Sequence, residues 1–225
     1  MNEVARAETE RGELVLRERT DPDGERVLEL RANGVFVMDT AETSSEQAMA
    51  RAALDVLPTP RAVLVAGLGL GFTLQAVLDD HRVGSVAVVE IEPALVGWLR
   101  DGVVPHGPAL LADARVTVVV ADVAATVLSA GAAAYDLVLL DVDNGPGYLV
   151  HDANAALYDE PFLRSVRRLL RPGGAVVVWS AARAPELLEA LDTAYDAAEE
   201  IGHPVSPGGR ADTYWLYAAR VASDG

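Results

Sequence analysis

Three carboxylate residues, Glu90, Asp122 and Asp141, stand at or just beyond the ends of successive apolar, strand-like runs. In an open parallel sheet, ligands bind at the carboxyl ends of the strands, near the point where the strand order reverses. A carboxylate there can accept hydrogen bonds from both ribose hydroxyls, and a second can accept one from an adenine amine. A single such carboxylate is more commonly the cap of the following helix. Three in succession favour a nucleoside site.

A glycine turn precedes these acids and supports the same interpretation. The apolar residues 63–66 lead into three glycines at every second position, and a helix-compatible segment follows. Dinucleotide folds use G-x-G-x-x-G, whereas G-x-G-x-G is typical of folds that bind S-adenosylmethionine-type nucleosides. The alternative is a tight strand-to-helix turn without a ligand. We expect a nucleoside-binding set made of Gly67, Gly69, Leu70, Gly71, Glu90, Ile91, Asp122 and Val123.

An acidic loop, residues 141–146 (D-V-D-N-G-P), is the second candidate for chemistry. A buried carboxylate such as Asp141 can take a proton from an ammonium group as its nitrogen becomes a nucleophile. Such assistance typically contributes roughly 10²–10⁴-fold to a rate. The alternative is an Asp-rich turn whose side chains bind the local backbone.

The overall composition narrows the function classes. The formal net charge of −16 repels nucleic acid phosphates and anionic membranes and would attract a polycationic substrate, although general solubility explains it equally well. There is no cysteine, which excludes disulfides and thiolate chemistry. The histidines do not have metal-ligand spacing, so we expect no metal site; they are His81, His106, His151 and His203. Without a signal-like or membrane-spanning run, we expect a cytoplasmic protein.

The elements that position these residues fall into two groups. Residues 1–12 are charged and unpatterned and are expected to be irregular, and three strands of a small antiparallel sheet follow at 13–17, 26–30 and 35–38. Thr43 and Glu46 have capping-box spacing at the start of a helix. We expect a small N-terminal β region, residues 1–42, and a second domain, residues 43–225.

Strands and helices alternate in the second domain. This pattern predicts an α/β fold with a doubly wound, mostly parallel sheet covered by helices. Residues 171–174 and 207–209 are predicted turns, residues 142–156 a loop, and Pro185 begins a helix that reaches about residue 198. The seven predicted strands are 63–66, 86–89, 116–120, 136–140, 175–179, about 200–205 and about 213–221.

These features resemble the spermidine synthases, the polyamine aminopropyltransferases, over about residues 35–180. Residues 90–92 match the family's ribose-binding E-I-D stretch, and residues 121–123 match its adenine-binding G-D-G stretch. The family's catalytic loop, D-x-x-D-P followed by G-P, is matched loosely by residues 141–146. A later L-Y/F…L-x-P-G-G segment is matched by residues 157–158 and 170–174.

The resemblance implies a Rossmann-like fold of the class I S-adenosylmethionine-dependent methyltransferase type, with a sulfonium nucleoside on the strand tips. It implies a transferase that moves an aminopropyl group from decarboxylated S-adenosylmethionine to putrescine or another polyamine. Asp141 would be the base, and Asp143 and Asn144 would orient the amine. The sequence leaves open whether the protein forms a homodimer.

Departures from the family's motifs keep two alternatives open. Leu70 stands where the family's G-G-G-D-G-G has an aspartate, which removes a repulsion against the carboxylate of ordinary S-adenosylmethionine. That change favours a methyltransferase with an unknown small-molecule substrate. The family's second loop aspartate aligns with Asn144, a usual glutamine aligns with Phe36, and the Y-H/Q-E signature becomes residues 45–47 (S-E-Q). These changes favour a nucleoside-binding homologue without catalysis.

Overall fold

The structure, a computed structural model, describes residues 1–206 and 211–223. It contains a four-stranded antiparallel sheet and a seven-stranded, mostly parallel sheet, which confirms the predicted α/β class. The predicted turn at residues 207–209 lies outside the described residues. The predicted division between residues 42 and 43 stays a prediction.

The small sheet contains one strand more than the sequence pattern predicts. The expectation that residues 1–12 are irregular is wrong, because residues 2–9 form a strand antiparallel to the next one. Its charged side chains pair with each other, as Arg6 does with Glu3 at 2.7 Å, which suits an exposed edge strand. The four strands lie in chain order: β1 Asn2–Thr9, β2 Gly12–Thr20, β3 Arg26–Ala32 and β4 Val35–Asp39.

Helix α1, Ser44–Leu54, begins where the sequence predicts but without the predicted capping box. Thr43 makes no side-chain cap, and Glu46 instead accepts a hydrogen bond from the Ser45 hydroxyl at 2.7 Å. The buried face of the helix, which includes Met49 and Ala53, belongs to a core shared with both sheets.

The large sheet and its helices follow in alternation, as predicted. The strands are β5 Ala62–Ala66, β6 Ser85–Glu90, β7 Val116–Val120, β8 Tyr135–Leu140, β9 Leu170–Ser180, β10 Ala197–Val205 and β11 Asp212–Arg220. The helices are α2 Phe72–Leu78, α3 Pro93–Arg100, α4 Gly107–Leu111, α5 Val123–Ser129, α6 Glu160–Leu169 and α7 Pro185–Ala194.

The strand order of the large sheet is β10-β11-β9-β8-β5-β6-β7. From β5 the chain proceeds to β6 and β7 on one side and then returns to β8 on the other side. The order therefore reverses between β5 and β8, which is where open α/β sheets bind ligands. Two apolar layers cover the sheet, and the four-stranded sheet contributes leucines to one of them.

Three boundaries differ from the sequence prediction. Residues 171–174 are not a separate turn but lie within β9, because a register shift against β8 accommodates them. The predicted loop of residues 142–156 runs into a 3₁₀ helix, Asp152–Tyr158. Helix α7 ends at Ala194, earlier than expected. Within residues 1–206 and 211–223, no helix is long and apolar enough to cross a membrane.

Gly67 is required by the packing of the chain itself. It has φ of 93°, and a Cβ atom at this position would lie 1.9 Å from the Asp141 carbonyl oxygen on the neighbouring strand. Gly71, with φ of 92°, begins α2 and packs against leucine side chains. The backbone conformation and packing of this turn therefore require glycine, whether or not a ligand binds beside it.

We expect Gly67→Ala to lower the free energy of unfolding by roughly 3 kcal/mol, because it adds backbone strain and a clash with the Asp141 carbonyl. Gly131→Ala is the matched control, because Gly131 has open space where a Cβ would stand. Urea unfolding of both variants checks this. Equal stability of the two variants would contradict the assigned packing.

Candidate active site

A cavity of about 240 Å³ lies at the carboxyl ends of β5, β6, β7 and β8, beside the four-stranded sheet. Several predicted site residues line it: Gly67, Gly69, Glu90, Ile91, Asp122, Val123, Asp141 and Asp143. Side chains from the small sheet, including Leu14 and Leu30, close its other side. The structure therefore brings together the ends of four separate strands, as the sequence pattern predicts.

Leu70 and Gly71 do not line this cavity, contrary to expectation. The Leu70 side chain is fully buried in the apolar core. Its backbone N–H donates to the Met38 sulfur at 3.3 Å, and the His106 imidazole donates to its carbonyl at 2.7 Å. The turn directs this side chain away from the cavity. Leu70 therefore offers a ligand there neither a charge nor a hydrogen-bonding group.

Glu90 is buried at the end of β6 and holds the glycine turn. Its carboxylate accepts the backbone N–H groups of Leu68 at 2.9 Å and Glu92 at 2.8 Å. Burial raises the pKa of Glu90, and these backbone hydrogen bonds oppose that rise. The carboxylate retains acceptor capacity toward the cavity, since two oxygens offer about four lone-pair sites.

Asp122 forms the helix cap that the sequence left as an alternative. One of its carboxylate oxygens accepts from the Ala124 N–H at 2.6 Å at the start of α5. It also lines the cavity, so capping and ligand contact are compatible at this position.

Asp141 directly follows the last residue of β8, at the boundary of the cavity. It is surrounded by protein but partly open to the cavity, and it accepts a hydrogen bond from the Thr73 hydroxyl at 2.6 Å. Burial raises the pKa of Asp141 to about 6, and the Thr73 hydrogen bond opposes that rise. A carboxylate with this pKa can exchange a proton near neutral pH.

Glu46 on α1 is a second perturbed carboxylate, and sequence reasoning missed it. Burial, with a contribution from the charge of Asp141, raises the pKa of Glu46 to about 7. The capping-box spacing did not predict burial of Glu46, whose side chain is only 6% exposed. Its spacing from Met49 and Ala50, one helical turn later on the buried face, is the signal that could have revealed it.

The loop after Asp141 is folded around Asp143. Asp143 has φ of 60° and accepts from the Val150 N–H at 2.6 Å and from the Asn154 side chain at 2.7 Å. The Asn144 side chain donates to the Phe36 carbonyl at 3.2 Å and does not line the cavity. The structure thus separates these residues: Asp141 and Asp143 face the cavity, and Asn144 faces a neighbouring recess.

That recess, of about 740 Å³, is rich in aromatic side chains, and we call it the aromatic recess. Residues of the same loop line both the recess and the cavity, and Val37 lines both spaces as well. The residues that define it are Val35, Phe36, Val37, Asn144, Tyr148, Leu149, Trp179, Ala181, Ala182, Arg183, Asp212, Thr213, Tyr214 and Trp215.

Arg11 is a further cavity residue that the sequence did not reveal, because it lies in the turn between β1 and β2. Its Nε lies 3.6 Å from a Glu92 carboxylate oxygen, and its terminal nitrogen donates to Asn154 at 3.3 Å.

Within the described ranges, no group of three or more His, Cys, Asp or Glu residues is arranged to hold a metal ion.

Known proteins resemble this chain in sequence. The family described as the spermine/spermidine synthase domain matches residues 42–198. Putrescine N-methyltransferase 3 of Nicotiana tabacum is 36% identical over 125 residues, which are 55% of this chain and 31% of that protein. Spermidine synthase 1 of Pisum sativum is 34% identical over 122 residues, 53% of this chain and 34% of that protein. The match thus spans about a third of each relative's length.

The fold also resembles solved structures. A spermidine synthase crystallised in complex with the transition state analogue AdoDATO superposes with a TM-score of 0.82. The alignment covers 99% of this chain and 75% of that one at 16% sequence identity, so it shows a shared fold.

We expect Glu46→Gln to stabilise the fold at pH 8 by about 2–3 kcal/mol. The folded pKa of Glu46, about 7, lies above its ordinary value of 4.5. The stability from this proton is therefore present below pH 4.5 and is lost as pH rises through about 7. Urea unfolding at pH 5 and pH 8 checks this, with exposed Glu189→Gln as the control. An equal effect of Glu46→Gln at both pH values would contradict it.

Proposed function

The chain belongs to the spermine/spermidine synthase family, and from this membership we propose that it transfers an aminopropyl group from decarboxylated S-adenosylmethionine to an amine acceptor. The observation that carries the proposal is the position of Asp141. This carboxylate has a raised pKa and lines a cavity beside a glycine turn and two further strand-end acids.

The proposed reaction is a nucleophilic displacement at carbon. Asp141 takes a proton from the acceptor's ammonium group, and the freed nitrogen lone pair attacks the aminopropyl carbon bonded to the sulfonium sulfur. A C–N bond forms, the C–S bond breaks, and its electron pair returns to sulfur as a neutral thioether. The protein's contribution is to hold both reactants in line and to accept the proton.

The charge of the cavity favours the decarboxylated donor. Five carboxylates are among the described residues that line it: Glu90, Glu92, Asp122, Asp141 and Asp143. Among the same described residues, one guanidinium, that of Arg11, lines the cavity, and its Nε lies 3.6 Å from a Glu92 carboxylate oxygen. A donor with a sulfonium, a free ammonium and no carboxylate suits this negative field better than ordinary S-adenosylmethionine does.

The second candidate function is methyl transfer from S-adenosylmethionine to an amine. The absence of an acid at Leu70 favours it, because no carboxylate at that place repels the carboxylate of ordinary S-adenosylmethionine. The named activity of the tobacco relatives, putrescine N-methyltransferase, favours it as well. In both candidates the nucleoside occupies the cavity, and Asp141 accepts the proton.

Calorimetric titration with the two donors separates these functions. We expect decarboxylated S-adenosylmethionine to bind at least about tenfold more tightly, because the cavity's carboxylates repel the carboxylate of the ordinary donor. Tighter binding of S-adenosylmethionine would favour the methyltransferase.

We expect Asp141→Asn to lower turnover with a panel of amines roughly 10²–10⁴-fold while donor binding is retained. Rapid assays of product by mass spectrometry, paired with calorimetry, measure both quantities. Unchanged turnover in this variant would remove Asp141 from the proposed role of base.

The pH profile of kcat/KM should fall as pH decreases through about 6, since Asp141 must be ionised to accept a proton. Thr73→Val should move this fall to higher pH by about one unit, because it removes a hydrogen bond to the carboxylate. Thr73→Ser keeps the hydroxyl and is the matched control. A profile that is unmoved in Thr73→Val would show that another group sets it.

A further inference from the structure

The aromatic recess contains two of the chain's three tryptophans and shares one lining residue, Val37, with the cavity. Its volume of about 740 Å³ lies within the range of roughly 300–1,000 Å³ that is typical of sites for drug-sized ligands. A short linear diamine would leave much of this space unfilled. The volume therefore accommodates a bulkier occupant.

The walls of the recess are held in place by contacts among themselves. Trp179 and Tyr214 meet edge to face with ring centroids 5.0 Å apart. The Arg183 guanidinium lies 5.4 Å from the centroid of Trp215 and donates to Glu200 at 2.8 Å. Because these rings are already positioned, a flat apolar group can stack among them without ordering the walls first.

Few of the described residues that line the recess are charged. Arg183 is the basic group among its described lining residues, and Asp212, at the exposed rim, is the carboxylate. A linear diamine has an ammonium at each end, and each end prefers a carboxylate. More carboxylates line the neighbouring cavity, where one ammonium could approach Asp141, although Asp39, Glu42 and Glu46 also act on Tyr214 of the recess. The distribution fits an acceptor with one amine and an uncharged body.

We propose that the aromatic recess is the acceptor site of this protein and that it binds an arylalkylamine, with the aromatic body in the recess and the amine directed past Val37 toward Asp141. This inference rests on the proposed function for its chemistry. The amine nitrogen forms the new C–N bond, its proton passes to Asp141, and the C–S electron pair returns to sulfur. Phe36, where the resembled family usually has glutamine, adds to the aromatic surface.

Calorimetry with 2-phenylethylamine and putrescine, in the presence of saturating 5′-methylthioadenosine, tests the inference. We expect 2-phenylethylamine to bind at least about tenfold more tightly than putrescine. Equal binding, or tighter binding of putrescine, would overturn the inference.

Two variants assign the binding to the recess. Trp215→Ala should weaken 2-phenylethylamine binding while changing putrescine binding little, and Trp98→Ala, outside both spaces, is its control. Phe36→Gln is a second variant at a partly exposed position, and it should also reduce the preference. A preference that survives both recess variants would overturn the inference.

The same measurements distinguish this inference from the proposed function. Tight 2-phenylethylamine binding without transfer from either donor would support the recess as an amine site and contradict the transferase. Transfer to putrescine without a preference for 2-phenylethylamine would support the transferase and contradict the aromatic acceptor.

Discussion

The close backbone approach of Gly67 to Asp141 determines where a site can form in this protein. A Cβ at residue 67 would stand 1.9 Å from the Asp141 carbonyl, so only glycine allows β5 and β8 to meet in this way. This contact lies at the reversal of strand order and places the glycine turn beside the end of β8. Glu90 then binds the backbone of the turn from the other side, and the cavity lies among these groups.

Carboxylates concentrated in this region oppose folding and favour a cationic ligand. Burial raises the pKa of Glu46, Glu90 and Asp141, which means that their ionised forms are destabilised in the folded protein. A sulfonium ion or an ammonium group in the cavity would stabilise the ionised forms of Glu90 and Asp141, which line it. Retaining these acids is costly for stability, and the positively charged substrate that we propose would give a reason for them that packing alone does not give.

Sequence patterns located the strands of the large sheet and the acids at their ends, because buried parallel strands are continuous apolar runs. They failed where tertiary contacts decide the outcome. β1 is stabilised by pairing with β2 rather than by an apolar pattern, and the direction of Leu70 depends on the left-handed glycines around it. Glu46 matched a local capping motif, yet the helix buries it toward Asp141. The role of Asp143 in folding its own loop also required the loop's three-dimensional path.

We propose above all that the 5′-thioadenosine part of the donor lies across the strand ends with its sulfur beside Asp141. A crystal structure of the protein with 5′-methylthioadenosine tests this most directly. We predict the ribose hydroxyls beside Glu90, the adenine amine beside Asp122 and the sulfur next to the Asp141 carboxylate. A nucleoside bound outside the cavity, or one whose adenine occupies the place next to Asp141, would contradict the account.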